Sequence, residues 1–474
     1  MTSGLVSVPI GRRYRERDLI LVAYVFAGAL VVQFGRSTSP QLAAWIGLAA
    51  CAASLIVVTW TQPKGFWSAP ALCLAVMCAF HFGALPEYLL AGEVFTDTVY
   101  AWMTPPQGPD ALWISTLGVL MFTAAVVAVA PARRVSPLPG LSPFRNRDMR
   151  TDRQQEVGGL PVVALVALVA SVTAWFTMTM VAGGLNPVSS TYLDYLDAGK
   201  SIPFAGLYQS IGLGFALLAL GKPGRQYRLG LAVFAVFAVV AFAVGFRGEV
   251  LFPILTHVAL LAYRRRLPSV ASILAIGIVG LSLISLVQDV RLAGVENYEF
   301  TPSSVSPLGG ITELGFSQHV VERTYDWHHH GEPFAWGASY WAPVERVLLR
   351  AVGADRVPGD DDDRLYNVLV SDREPGSIGG SVIGEAYHNG GRLGVVLVLS
   401  LWGALVGGLA ARARSGLTLA ILGIVVFAFF WHVRNSFTPI PLQVAGALIV
   451  VLATIVAWPP GSGRARRSHG VGIR

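Results

Sequence analysis

Two kinds of residue in this sequence are suited to a charged, oxygen-rich reactant. The first are arginines stranded at the ends of apolar runs. Arg247 follows Phe246 and precedes Gly248, with no room for a loop between two runs. Arg434 closes Trp431-His432-Val433-Arg434-Asn435, and Arg291 follows Gln288-Asp289-Val290. A guanidinium placed there is costly unless it has a partner or an anionic ligand. Three of them could converge on a phosphate, whose oxygens fit the guanidinium fork. Snorkelling to lipid phosphate, or pairing of Arg247 with Glu249, is the plainer alternative.

The second kind is a carboxylate with an imidazole one turn away, in Gly384-Glu385-Ala386-Tyr387-His388-Asn389-Gly390-Gly391-Arg392-Leu393-Gly394. If helical, this segment sets Glu385 and His388 on one face, with Arg392 a further turn along. Such a pair can act as general base and orienting partner; an ordinary amphipathic junction is the bland reading. The Gly390-Gly391 pair is expected to break or kink the helix. Other polar clusters promise less. Three adjacent histidines, His328 to His330, cannot easily converge on one ion and read as a solvated loop. Asp360–Asp363 lacks the spacing of a calcium loop, so no metal site is expected, and Asp360–Arg364 reads as a solvated turn. Glu322-Arg323 reads as a local ion pair.

The elements that must position these groups are membrane helices. The chain has 474 residues, 54% hydrophobic and 13% charged, where soluble domains carry about 25% charged residues. Its mean hydropathy is +0.57. Apolar runs predict an all-α polytopic protein of about twelve spans, near 19–34, 41–60, 69–90, 111–130, 160–182, 203–220, 229–246, 248–263, 269–290, 393–410, 417–433 and 441–458. The net charge of +7 does not indicate nucleic acid, because the basic residues lie in short loops between spans. With both termini in the cytoplasm, cytoplasmic segments hold 23 of the 35 basic residues against five acids, as the positive-inside rule requires. Cys51, Cys73 and Cys78 fall inside spans and read as buried thiols.

Between spans nine and ten lies a polar block, 291–392, with 15 of the 28 acidic residues and eight of the 35 basic ones. The topology sets it outside. The expected organisation is a membrane domain 1–290, the extracytoplasmic block 291–392, a second membrane part 393–458 and a basic cytoplasmic tail 459–474. Within the block, Thr301–Pro307 reads as irregular, and Ile311–Tyr325 and Val344–Val352 as short helices on the membrane surface. Two smaller outside loops, Glu93–Asp110 and Asn186–Pro203, are placed to cooperate with it.

Three stretches give the chain a resemblance to the bacterial O-antigen polymerase (Wzy-like oligosaccharide repeat-unit polymerase) family. They are Gly245-Phe246-Arg247-Gly248 running on to Tyr263-Arg264-Arg265-Arg266, the outer block, and the Gly384–Gly394 segment. Within the outer block the likeness lies in Glu313-Leu314-Gly315, Glu322-Arg323-Thr324 and Pro333-Phe334-Ala335-Trp336-Gly337-Ala338-Ser339-Tyr340. The Gly384–Gly394 segment is close to the family's Glu-x-Tyr-x-Asn-x-Gly-x-x-Gly pattern, although relatives often carry an aromatic residue where this chain has Gly390. The likeness covers roughly 245–395.

The resemblance implies an enzyme of the bacterial inner membrane, working at its outer face on polyprenyl-diphosphate-linked oligosaccharides. A flippase would deliver them, a chain-length regulator would be a further partner, and no cofactor is needed because the donor is already activated. Arg247, Arg291 and Arg434 would hold the diphosphate, and Glu385 or His388 would serve as base. Glu313, Glu322, Arg323, Tyr387, Asn389 and Arg392 are candidate substrate contacts. Rival readings are an O-antigen-ligase-like glycosyltransferase and a lipid-linked oligosaccharide flippase or transporter. The nine-and-three split of spans disfavours a transporter built from two similar halves.

Overall fold

A computed structural model describes residues 10–35, 39–91, 103, 106–130, 159–181, 204–243, 246–264, 267, 270–293, 305–355, 357–374 and 379–457. Among these residues the structure is helical, without strands. The first half comprises α1 (Ile10–Phe34), α2 (Pro40–Thr61), α3 (Ala69–Phe82), α4 (Leu85–Ala91), α5 (Gln107–Val129) and α6 (Leu160–Val181). It continues through α7 (Phe204–Leu218), α8 (Arg225–Ala243), α9 (Gly248–Leu261) and α10 (Val270–Ala293). Four short helices follow: α11 (Pro307–Leu314), α12 (Ser317–His329), α13 (Ala338–Ala351) and α14 (Tyr366–Arg373). The chain returns to long helices with α15 (Val382–Arg412), α16 (Gly416–Arg434) and α17 (Ile440–Ala457).

Eight helices, α1, α2, α5, α6, α8, α15, α16 and α17, are long and apolar enough to cross a membrane. The shorter apolar helices α3, α7 and α9, and the apolar helix α10, occupy the four remaining positions at which the sequence predicts spans. The chain is a multi-pass membrane protein. Several helix starts carry a serine cap. Ser39, Ser68, Ser306 and Ser381 each accept a hydrogen bond from a first-turn N–H, three of them with proline just inside the helix.

The centre of the bundle is α5 and α16, whose spans are mostly buried, while α1 and α17 turn Phe26, Leu30, Leu452 and Val456 outward as lipid-facing helices do. α15 lies against α5 at close range. A Cβ on Gly403 would meet the Phe122 carbonyl oxygen at 2.4 Å, and one on Gly407 would meet Val129 at 2.7 Å. This small-xxx-small spacing brings two backbones together where packing, not hydrophobic burial, drives association.

The polar block is bolted onto this bundle. α12 packs on α3, α5 and α15. Its Tyr325 hydroxyl donates to Asp110 Oδ2 at 2.5 Å, and Ser115 donates to Gln318 Oε1 at 2.6 Å. The short helices anticipated over 311–325 and 344–352 are thus three, α11, α12 and α13. α13 packs on α17 and leaves Trp341 and Leu348 exposed. The turn at 360–364 is exposed at Asp361, Asp363 and Arg364, as the sequence reading has it, but Asp362 is buried. It accepts from the Arg364 guanidinium at 2.9 Å, which holds its carboxyl below the usual range. Of the two smaller loops, 92–102 and 182–203 lie outside the described residues, as do 301–304.

Candidate functional site

The site forms where α15 begins, α16 ends and α9 starts. Ser381 caps α15, its Oγ accepting from Ile383 N and Gly384 N at 3.2 and 3.1 Å. The same hydroxyl donates to His81 Nε2 at 2.7 Å, because His81 Nδ1–H is committed to the Met77 carbonyl at 3.0 Å. α15 is helical from Val382 and kinks where the sequence predicts, with Gly391 at φ 60°, ψ −145°. That region is essentially closed to other residues, and Phe334 lies 3.0 Å from where a Cβ would be.

Glu385 is fully buried. Its Oε1 accepts from Ser339 Oγ at 2.8 Å; its Oε2 accepts from His432 Nε2 at 3.0 Å and Phe437 N at 2.7 Å. The tautomer of His432 follows from its other nitrogen. The Trp402 indole can only donate, and it donates to His432 Nδ1 at 3.2 Å, so the hydrogen sits on Nε2. Asn389 completes the network: Nδ2 donates to Ser339 Oγ at 2.7 Å and to the Glu385 carbonyl at 2.8 Å. Asn389 Oδ1 accepts from Gly337 N at 2.9 Å. A buried carboxylate that accepts from three donors has its hydrogen-bonding capacity met within the fold.

His388 is not paired with Glu385; its partner is His328. Nδ1 of His388 lies 3.1 Å from His328 Nε2, and His328 Nδ1 lies 2.8 Å from the Glu332 carbonyl. A carbonyl only accepts, so His328 carries its hydrogen on Nδ1 and accepts at Nε2. His388 then donates from Nδ1, which leaves a lone pair on its Nε2. Aromatic rings wall this pair. His328 stacks on Phe334 at 4.5 Å and meets Tyr387 edge-on at 5.8 Å, and Tyr366 lies 5.7 Å from His388. His328, read from sequence as solvated loop, is the ring that fixes the His388 tautomer.

The remaining expected residues divide. Arg247, buried, pairs with Glu313 at 2.6 Å. Arg434 lies at the C-terminal end of α16, beside Gly379, and acts electrostatically on Glu249 in the first turn of α9. Since α9 and α16 pack together, with Phe252 6.1 Å from Phe430, Arg247 and Arg434 occupy adjacent helix ends. Arg291 falls in the last turn of α10, and its side chain lies outside the described residues. Arg323 reaches Glu374 at 3.2 Å and its neighbour Glu322 at 3.8 Å. Arg392 donates to the Val32 and Gly35 carbonyls, at 2.5 and 3.2 Å, and so caps the C-terminal end of α1.

On α12, burial raises the Glu322 carboxyl to about 7 and lowers His319, 3.7 Å away, to about 4. Among the described residues no three His, Cys, Asp or Glu side chains gather to hold a metal ion. Cys51, Cys73 and Cys78 are buried free thiols.

Four members of this site, His432, Ser339, Ser381 and His81, were not singled out from the sequence. His432 and His81 carried a signal, an ionisable residue within an apolar span. Ser339 lies in a stretch that carries the resemblance, but no spacing marks it.

The family model described as O-antigen polysaccharide polymerase Wzy matches residues 162–458, from within α6 to the end of α17, and takes in the site residues apart from His81 and Met77 on α3. Protein CapE of Staphylococcus aureus is 23% identical over 336 residues, 70% of this chain and 71% of CapE. No solved structure matches.

Proposed function

The chain belongs to the O-antigen polysaccharide polymerase Wzy family, and from that premise we propose that it joins polyprenyl-diphosphate-linked repeat units at the outer face of the inner membrane. A hydroxyl oxygen of one repeat unit bonds to the anomeric carbon of the other substrate. The bond from that carbon to the diphosphate breaks, and polyprenyl diphosphate leaves with the electron pair. The hydroxyl proton goes to His388 Nε2. The observation that carries this assignment is the hydrogen-bond chain from the Glu332 carbonyl through His328, which leaves that nitrogen with a lone pair. Glu385, saturated by three donors, is a positioning residue: it ties α15 to α16 and to the segment that carries Ser339.

Arg247 and Arg434 take the diphosphate, a role the resemblance gives to Arg291 as well. Their place at adjacent helix ends supports this, because charge developing on the leaving group is strongly stabilised by preorganised donors in a partly dry site. Glu313 then holds Arg247 until substrate enters. Residues 291–392 are the extracytoplasmic block, 1–290 and 393–458 the membrane domain, and 459–474 a tail on the cytoplasmic side. A flippase supplies the substrate and a chain-length regulator acts on the product.

The test is polymerisation of lipid-linked repeat units by reconstituted protein. His388→Ala is expected to lower the rate by about 10²-fold or more, the usual cost of a lost base. Arg247→Lys and Arg434→Lys are expected to impair it because the two-pronged geometry goes. Near wild-type rates in His388→Ala would move the base elsewhere.

A further inference from the structure

The turn between α12 and α13 is clamped twice by consecutive residues of α15, and what it presents is an indole. Ala335 N donates to the His388 carbonyl at 2.9 Å, and Gly337 N donates to Asn389 Oδ1 at 2.9 Å. Trp336, between them, is held at φ 48°, and Gly337 follows at φ 93°. Among the described residues Trp336 is the one non-glycine in the left-handed region. Glycine or asparagine would make such a turn without strain, and a bulky side chain is a poor occupant of it. The Trp336 ring gains little from the fold in return. It is 79% exposed and touches Phe334 edge-on, with centroids 6.2 Å apart. Backbone strain and exposed apolar area, fixed one bond from His388 and Asn389, mark a residue kept for something outside the chain.

We propose that Trp336 is a stacking platform for a pyranose ring of the repeat-unit oligosaccharide. A pyranose has an apolar face of C–H groups and a polar edge of hydroxyls. An indole covers the face and leaves the hydroxyls free to bond elsewhere, so apolar area is buried at no cost in hydrogen bonds. The platform lies beside the His388 pair, through Phe334, which stacks on His328. That places the ring where an attacking sugar must be held, and in this respect the inference rests on the proposed function. A lipid surface fits less well. The apolar side of this region that adjoins a membrane span is that of α13, which packs on α17 and exposes Trp341 and Leu348. Trp336 is instead held by its neighbours on His388 and Asn389, in the stretch of α15 before the kink, and the same turn carries Glu332, the ion-pair partner of Arg373.

The experiment measures binding of the delipidated repeat-unit oligosaccharide to protein in nanodiscs, alongside thermal unfolding and turnover with lipid-linked substrate. Trp336→Gly is expected to weaken binding roughly tenfold. It should also raise the unfolding midpoint, because the strain is relieved. Trp336→Phe should keep most of the binding, and Trp341→Ala all of it. In turnover, Trp336→Gly should raise KM for the acceptor while kcat is kept. Wild-type binding in Trp336→Gly overturns the platform, whatever turnover shows, as does failure of the wild type to bind the free oligosaccharide. Unchanged binding with weaker retention in phosphatidylglycerol vesicles would reassign Trp336 to a lipid anchor. If His388→Ala turns over normally while Trp336→Gly loses binding, the assignment of the base fails and the platform stands.

Discussion

His432 donates its Nε2 hydrogen to the Glu385 carboxylate at 3.0 Å, and solvent reaches neither side chain. The bond joins the start of α15 to the end of α16, and Trp402 holds the ring from its other side. The two obvious replacements at Glu385 are therefore expected to differ. Glutamine can turn its amide nitrogen toward Ser339, whose hydroxyl accepts as well as donates, and keep its oxygen for His432 and Phe437. Alanine leaves those two donors buried and unmet, at about 1–3 kcal/mol each. Unfolding of reconstituted protein should show Glu385→Ala far below wild type and Glu385→Gln near it, with turnover largely kept in the glutamine variant. Loss of all turnover in a stable Glu385→Gln would make this carboxylate the base.

The glycine pair offers a contrast within two residues. Gly391 sits at φ 60° against Phe334, whereas Gly390 has an extended φ of −170° and nothing within 4 Å of a would-be Cβ. Gly391→Ala should lower stability by about 1–3 kcal/mol, and Gly390→Ala should be close to neutral. Equal losses in a denaturation series would mean that the kink does not depend on Gly391.

What the sequence revealed about this molecule follows from how local each cause is. The apolar runs and the kink at Gly390-Gly391 are written in contiguous residues, and both are found. Helical spacing does put Glu385 and His388 one turn apart, yet their partners come from afar. Glu385 is held by Ser339 and His432, and His388 by His328. Such pairings depend on how α12, α13 and α16 dock, which no spacing within α15 encodes. The carbonyls that Arg392 caps lie 357 and 360 residues away, so nothing in the sequence around Arg392 points to them. Asp362 looked solvated because four consecutive aspartates usually are, but one of them is buried under Arg364 and Arg346.

Glu322 gives the protein a pH dependence of definite sign. Its carboxyl is raised by burial to about 7 in the fold, against an ordinary 4.5. The folded state thus holds a proton that the unfolded chain releases between those values. The stability associated with that proton is present below pH 4.5 and is lost as pH rises through 7. Glu322→Gln keeps the neutral form at every pH. It should match wild type at pH 5 and unfold a few degrees higher at pH 8. His319, lowered to about 4, titrates in the opposite sense between 6.5 and 4, so the two proteins should be compared at each pH or in a His319→Gln background. Parallel curves for wild type and Glu322→Gln would show that Glu322 is charged in the fold.

The pair of histidines sets the last expectation. His328 acts on His388 only through its Nε2 lone pair, which accepts the His388 Nδ1 hydrogen at 3.1 Å. Phenylalanine at 328 preserves a ring to stack on Phe334 but removes that acceptor. His388 can then turn, or shift its hydrogen to Nε2, and in either case the nitrogen meant for the attacking hydroxyl is no longer held ready. Misplaced tautomers are costly in enzymes that use histidine as a base. With lipid-linked repeat units, His328→Phe should lower kcat by about tenfold or more and leave KM for both substrates near wild type. His328→Gln, whose carbonyl oxygen can take the place of Nε2, should recover part of the loss. Neither should change the binding of free oligosaccharide, which separates this role from that of Trp336. A His328→Phe enzyme with full kcat would mean that His388 needs no orienting partner. A change confined to KM would mean that His328 touches substrate directly.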